Sequence, residues 1–456
     1  MEASWRRQHD HCNAGNGWEG SEMSEKHKTR PASQRQPETG SASPSIRVRD
    51  NPAGIGVLFS VPVVVAALGY FVDIYDLILF SIVRVQSLRA IGLDGQELLD
   101  KGVFLLNMQM AGMLLGGIIW GVLGDRKGRV KILFGSIFLY SLANAANGFV
   151  NSVGAYALWR FIAGIGLAGE LGAGVTLVLE NLPREIRGYG TMIVATVGVT
   201  GAVLANFIAK HFDWRSAYFI GGGLGLLLLF LRIGVYESRM FRTMEEQGIS
   251  RGDFLSLFTN KNRFFKYLHS ILIGLPIWYC VGILITFSPE FARALLVTGP
   301  ISAGEAVMFC YLGLVFGDFG SGVLSQHFKS RKKIILFFLL LTTGSIALYF
   351  RLNNVTPFQF YLWCLAMGIA VGYWAIFVTV AAEQFGTNLR ATVASTVPNF
   401  IRGTVIPITF LFRLAKDHLG ILTGGAVVGV LCLLIAFHSL YRLEETFHKD
   451  LNYSEE

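Results

Sequence analysis

Charge is scarce in this sequence: Asp, Glu, Lys and Arg make up 15% of its 456 residues, whereas 52% are hydrophobic. A soluble chain of this size would alternate apolar and polar residues along amphipathic elements, but here long apolar runs are separated by short charged knots. Proline is also scarce, with 12 against 52 glycines, and that much glycine suits helices packed closely inside a bilayer. The five cysteines (Cys12, Cys280, Cys310, Cys364, Cys432) show no paired spacing and four lie in apolar runs, so they read as small hydrophobic fillers rather than a disulfide framework. No P-loop, H-E-x-x-H or G-x-S-x-G is present, which argues against an enzyme and against an ATP-driven pump in this chain. The first 50 residues hold no apolar h-region, so no cleavable signal peptide is expected, and Met1 and Met23 both remain possible starts. That stretch is Ser-, Gly- and Arg-rich and unable to bury a core. Its "HDHC" cluster (His9, His11, Cys12) is read as fortuitous; no metal and no cofactor are expected.

What is present is an all-α polytopic pattern. Apolar runs fall at about 56–86, 102–124, 132–150, 155–179, 189–210, 215–235, 265–288, 303–325, 333–351, 358–382, 392–415 and 420–441, each long enough to span a bilayer. Twelve helices are expected. With the N-terminus inside, "DRKGRVK", "PREIRG", the charged stretch after the sixth run and "HFKSRKK" all face the cytoplasm, as the positive-inside rule requires, and both termini are cytoplasmic. The net charge of +8 is therefore read as topology, with no nucleic-acid partner. The expected organisation is a disordered tail over 1–53, a six-helix bundle over 54–236, a cytoplasmic linker over 237–264, a second bundle over 265–441 and a cytoplasmic tail over 442–456.

The two halves repeat one another. "GVLGDRKGR" (Gly121 to Arg129) is answered by "GVLSQHFKSR" (Gly322 to Arg331), and "ENLPREIRG" (Glu180 to Gly188) by "EQFGTNLRA" (Glu383 to Ala391), both at an offset of about 200 residues. Gln326 and Gly386 stand where the first half has Asp125 and Pro183, so the N-terminal half keeps the fuller set. These residues resemble the Major Facilitator Superfamily from about 54 to 446. Gly121, Asp125, Arg126, Gly128 and Arg129 match its loop signature G-x-x-x-D-R-x-G-R. "WRFIAGIGLAGE" (Trp159 to Glu170), the Glu180–Gly188 motif and "DWR…YES" (Asp213 to Arg215, Glu237, Ser238) are similar to the sugar porters and to the metabolite, aromatic-acid and sialic-acid proton symporters. The glutamine-rich seventh-span motif of sugar porters is absent, as is the Gly-Pro antiporter signature in span five. The resemblance implies two six-helix bundles around a central cavity, working by alternating access.

Two acids interrupt the first apolar run, "GYFVDIYDLILF". Asp73 and Asp76 are three residues apart and share a helix face. In low dielectric two such carboxylates do not both ionise, which suits a proton carrier. Arg160, expected in the same outer half of the membrane, is read as the partner of Asp76; the resemblance implies the same pairing. Arg402 lies within the eleventh run and is read as a contact for a carboxylate or phosphate, or else as the partner of Glu170. Trp278, Tyr279, Tyr373, Trp374, Asn107, Gln109 and Asn399 are expected to line the cavity. Gly121, Asp125, Arg126 and Arg129, with Glu180, Arg187, Glu383 and Arg390, are expected to form a cytoplasmic gate linking the halves.

The function expected is uptake of a small polar metabolite, an organic acid or similar anion, by proton-coupled symport. An exporter or antiporter on the same scaffold is the alternative, and a non-transporting sensor has no need of buried charges. The expected partners are that small anion, protons and the bilayer, with the chain a monomer in a bacterial inner membrane.

Overall fold

The computed structural model describes residues 59–127, 129–182, 186–232, 254–447 and 449. The tail over 1–53, residues 233–253 of the linker region and the end of the C-terminal tail lie outside the described residues. Among the described residues the secondary structure is helical throughout, with no strand. A chain in a bilayer must satisfy its backbone N–H and C=O groups internally, and helices do this segment by segment.

The helices run α1 (Val61–Ala90), α2 (Gly95–Lys127), α3 (Arg129–Asn147), α4 (Val153–Leu167, resuming as Glu170–Asn181), α5 (Arg187–Val199, resuming as Gly201–His211) and α6 (Trp214–Leu231). After a short turn (Ser256–Thr259) come α7 (Lys261–Leu272, then Leu275–Tyr279, with a π segment over Cys280–Ile285), α8 (Ala303–His327) and α9 (Arg331–Tyr349). Then follow α10 (Pro357–Ala370, resuming as Trp374–Glu383), α11 (Thr387–Gly403, resuming as Val405–Leu419) and α12 (Ile421–Arg442). Side chains fix several starts: Ser152 accepts from Ala155 N–H, Asp213 from Arg215 and Ser216, and Thr356 forms a capping box with Gln359. Asn260 caps α7 so that it begins at Lys261, earlier than the apolar run implies.

Ten of these helices are long and apolar enough to cross a membrane, where the sequence pattern suggests twelve. The two others are α3 and α11. Their interiors carry Ser136, Ser141, Asn144 and Asn147 in one, and Thr392, Ser395, Thr396, Asn399 and Arg402 in the other, all buried in the protein. Polar residues that face protein rather than lipid lower hydropathy without exposing anything to hydrocarbon.

Within the first half α4 packs on α2 and α3, and α1 packs on α5 and α6; within the second, α8 packs on α10 and α12 packs on α7, α9 and α11. The halves meet along α2 with α11 and along α5 with α8. The repeat is visible atom by atom. A Cβ on Gly112 of α2 would overlap the carbonyl oxygen of Phe161 in α4, and one on Gly164 that of Gln109. In the second half a Cβ on Gly313 of α8 would overlap the carbonyl of Leu365 in α10, and one on Gly368 that of Cys310. Equivalent glycines therefore let equivalent helix pairs touch backbone to backbone.

The chain after α12 is anchored to the start of α9. Glu445 accepts from the Ser330 hydroxyl and from Arg331 N–H at 2.8 Å and Lys332 N–H at 3.2 Å. Burial opposes the charge on Glu445, but those donors, with Phe447 N–H, hold its carboxyl below the ordinary range.

Replacing Gly164 or Gly368 by Ile should drive the paired backbones apart and cost about 1–3 kcal/mol or more. The thermal midpoint in detergent should fall for both. Gly223→Ala, where an added Cβ meets nothing within 4 Å, should leave it unchanged.

Candidate functional site

At the centre, α1, α7, α8, α10 and α11 bring Tyr70, Ile74, Trp278, Tyr311, Trp374 and Arg402 around one small space. The Arg402 guanidinium lies 5.8 Å from the Trp278 ring centroid and 5.5 Å from that of Trp374, and the two indoles meet edge to face at 6.2 Å. Its counter-charge is Asp73, at 3.7 Å, with both side chains fully buried. Arg402 has no hydrogen-bond partner among the described residues, so its planar fork is held by charge and ring faces alone. The space is about 20 Å³, room for little more than one water. A substrate therefore needs the surrounding helices to part.

Asp76 lies deeper among the N-half helices. It is fully buried, and the polar groups that act on its carboxyl are Asp73 one turn back on α1, the Asn144 side chain of α3 and Arg160 of α4. Gly221 of α6 makes room for its carboxylate, since a Cβ there would overlap Oδ1. The expected ion pair between Asp76 and Arg160 does not form. Arg160 instead donates to the Gln109 amide oxygen and lies over the Phe80 ring at 4.4 Å. Gln109 is thereby committed to holding an arginine rather than lining the central space.

Several other expectations are redistributed. Glu170 does not face Arg402; it forms a buried bidentate pair with Arg232 at the end of α6. Arg232 also donates to the Val65 carbonyl at 3.3 Å, and α1 passes over the pair at Gly69, where any Cβ would overlap it. Tyr279 turns away from the centre and donates to the Gly425 carbonyl of α12 at 2.6 Å. Tyr373 donates to Ile273 O at 3.0 Å, tying α10 to α7. Asn107 bonds Thr409 of α11 at 3.0 Å, and Asn399 donates to Ala168 O at 2.8 Å, so both bridge the halves instead of lining a cavity.

The two ends of the half–half interface are closed. On the basic-loop side Gly121 lies against Thr396, and Gly172 against Ser395, in α11. The side chains of Asp125, Arg129, Glu180 and Arg187 lie outside the described residues, and Arg126 is exposed. Glu383 pairs with Arg331 at 3.5 Å and accepts from Thr446 at 2.6 Å, while Arg390 donates to Phe385 O at 3.2 Å. These contacts lie within the second half; the first-half members of the expected network, Asp125, Arg129, Glu180 and Arg187, have side chains outside the described residues. At the opposite end Arg84 of α1, fully buried, pairs with Glu290 at 2.9 Å, and Lys210 of α5 pairs with Glu305 of α8.

Sequence reasoning missed Tyr70, Tyr311, Arg84, Glu290 and Arg232. Arg84 and Arg232 carried a usable signal, as single cations set among apolar residues near helix ends. Asp318 was also missed. It is fully buried in α8 and accepts from Ala375 N–H at 3.1 Å, capping the resumed half of α10 from a neighbouring helix.

If the Glu170–Arg232 pair braces α1, α4 and α6, Glu170→Gln should destabilise the protein by about 3–5 kcal/mol by leaving a buried cation unanswered. A Glu170→Leu, Arg232→Met double variant should recover most of that loss in thermal melts. An unchanged midpoint for Glu170→Gln would show that the pair is not a brace.

Comparisons with known proteins agree with this architecture. The chain is 24% identical over 361 residues to the niacin transporter of Acinetobacter baylyi, covering 72% of this chain and 80% of that one. It is 24% identical to the gentisate transporter of Corynebacterium glutamicum, covering 82% and 86%. Among solved structures it superposes on the proton:xylose symporter XylE with a TM-score of 0.68 at 18% identity, over 87% of this chain and 98% of the other, which speaks to the fold. The model of the Major Facilitator Superfamily matches residues 63–405, and the chain belongs to that family of membrane transporters.

Proposed function

We propose that this chain imports a small organic acid, with an aromatic or heteroaromatic carboxylate favoured, together with protons. The observation that carries the reading is Arg402, buried between the Trp278 and Trp374 rings with Asp73 as its counter-charge. A carboxylate fits the guanidinium fork, and a flat ring fits the indole walls. The niacin and gentisate carriers among the relatives support the same ligand class.

The coupling follows from competition. Arg402 cannot serve Asp73 and a substrate carboxylate equally, so a proton on Asp73 releases the arginine to the incoming anion. Asp76, one helical turn along α1 and poorly solvated, is the proton's next stop, with Arg160 and Asn144 setting its surroundings. Substrate and proton then enter and leave the centre together, which is symport. In this reading the bundles over 54–236 and 265–441 rock as units about the centre. The pairs Arg84–Glu290 and Lys210–Glu305 latch the outer face, and the α2–α11 contacts near Gly121 latch the inner one. The basic-loop face is taken as cytoplasmic by the positive-inside rule, in a bacterial inner membrane.

Proteoliposomes with an imposed pH gradient test the scheme. Asp76→Asn and Asp73→Asn should each abolish gradient-driven accumulation of the acid, and Asp73→Asn should retain exchange. Accumulation at the wild-type level in both variants would remove the pair from coupling. Arg402→Lys should weaken binding of an aromatic carboxylate about tenfold to a hundredfold, the equivalent of one charge-assisted hydrogen bond, and affect its neutral amide little. Equal losses for acid and amide would take Arg402 out of the anion site.

A further inference from the structure

On the basic-loop face, outside the half–half interface, the first helix of α7 and the end of α12 enclose a groove of about 760 Å³. Five basic side chains line it: Lys261, Lys266, His269, His438 and Arg442. The acid in the lining is Glu444, and its carboxylate is 3.5 Å from Lys449. The walls are partly fixed. Lys266 donates to Gln384 O at 3.3 Å, and His269 is 3.4 Å from the Ser439 hydroxyl, whereas Lys261, His438 and Arg442 are exposed.

The groove continues into a lipid-facing surface. Val427, Leu431, Leu434, His438 and Arg442 follow each other at spacings of three and four along α12, so they form one stripe. Its apolar members are largely exposed, at 49%, 45% and 62% for Val427, Leu431 and Leu434. Tyr441, 78% exposed, and Phe265, 42% exposed, flank the charged end, where aromatic side chains sit at the level of headgroups. An apolar stripe leading into a cationic pocket is complementary to a molecule with an acyl chain and an anionic head.

We propose that this groove is a binding site for an anionic phospholipid, with the phosphate held by Lys261, His438 and Arg442 and an acyl chain along the Val427–Leu434 stripe. The chemistry recognised is a phosphate ester, and the stripe selects the lipid over a soluble phosphate. Nothing in the transport scheme uses these side chains.

Native mass spectrometry of the purified full-length chain, offered phosphatidylglycerol and phosphatidylethanolamine in equal amounts, tests the site. The wild type should retain phosphatidylglycerol preferentially, and a His438→Gln, Arg442→Gln variant should lose about fivefold of that retention. Lys261→Gln should weaken it in the same direction, and melting in lipid-free detergent checks that each variant is folded. Leu434→Asn should weaken lipid retention with the basic residues intact. Equal retention of both lipids by the wild type, or unchanged retention in the folded charge variants, would overturn the proposal. Inorganic phosphate or glycerophosphoglycerol displacing the lipid at matched concentrations would reassign the groove to a soluble anion and also overturn it.

Discussion

An unanswered charge in a low-dielectric interior is the constraint on which the arrangement depends. Among the described residues four arginines have fully buried side chains: Arg84, Arg160, Arg232 and Arg402. Each is answered differently. Arg232 has a bidentate carboxylate, Glu170, which joins the end of α6 to α4. Arg84 has Glu290 on the opposite half, so its pair ties the two halves together at that face. Arg160 has a neutral amide and an aromatic face, which leaves its charge uncancelled beside Asp76. Arg402 has a carboxylate at 3.7 Å and two indole rings, a looser hold that another anion can replace. The answers run from a tight bidentate pair at Arg232 to a longer contact flanked by two rings at Arg402.

Packing supplies the second requirement. The glycine contacts of α2 with α4 and of α8 with α10 make each half stiff, because backbones in direct contact have no side chains to repack. Between the halves there is also close packing, Gly117 and Gly172 against Asn399 and Ser395 of α11 and Gly403 against Leu114 of α2, with hydrogen bonds such as Asn107 to Thr409 and Asn399 to Ala168 and ion pairs at the outer rim. The central space of about 20 Å³ between the halves is too small for a metabolite in this arrangement of the helices.

Much of this was legible along the chain. Length and apolarity of the runs, the basic loops and the repeated motifs imply helices in two related halves, because bilayer crossing imposes a fixed length and charge pattern on each segment. The spans α3 and α11 were legible as runs but fall below the apolarity of the rest, and the polar residues inside them are covered by protein. Asp73, Asp76 and Arg402 stood out because a charge in an apolar run is costly wherever it points.

Which charge meets which was not legible. Asp76 and Arg160 share a depth, yet Gln109 takes the arginine; Arg402 and Glu170 are both buried, yet each has another partner. Trp278 and Tyr279 are neighbours in sequence, but the 100° step between adjacent helical residues turns one to the centre and the other to α12. The sequence by itself determined the family, the helices and the residues too costly to be idle. Partnership was decided only by the tertiary structure, because it depends on the rotation and crossing of separate helices, the partners lying 51 residues apart for Gln109 and Arg160 and 62 for Glu170 and Arg232, and no periodicity within one segment encodes that.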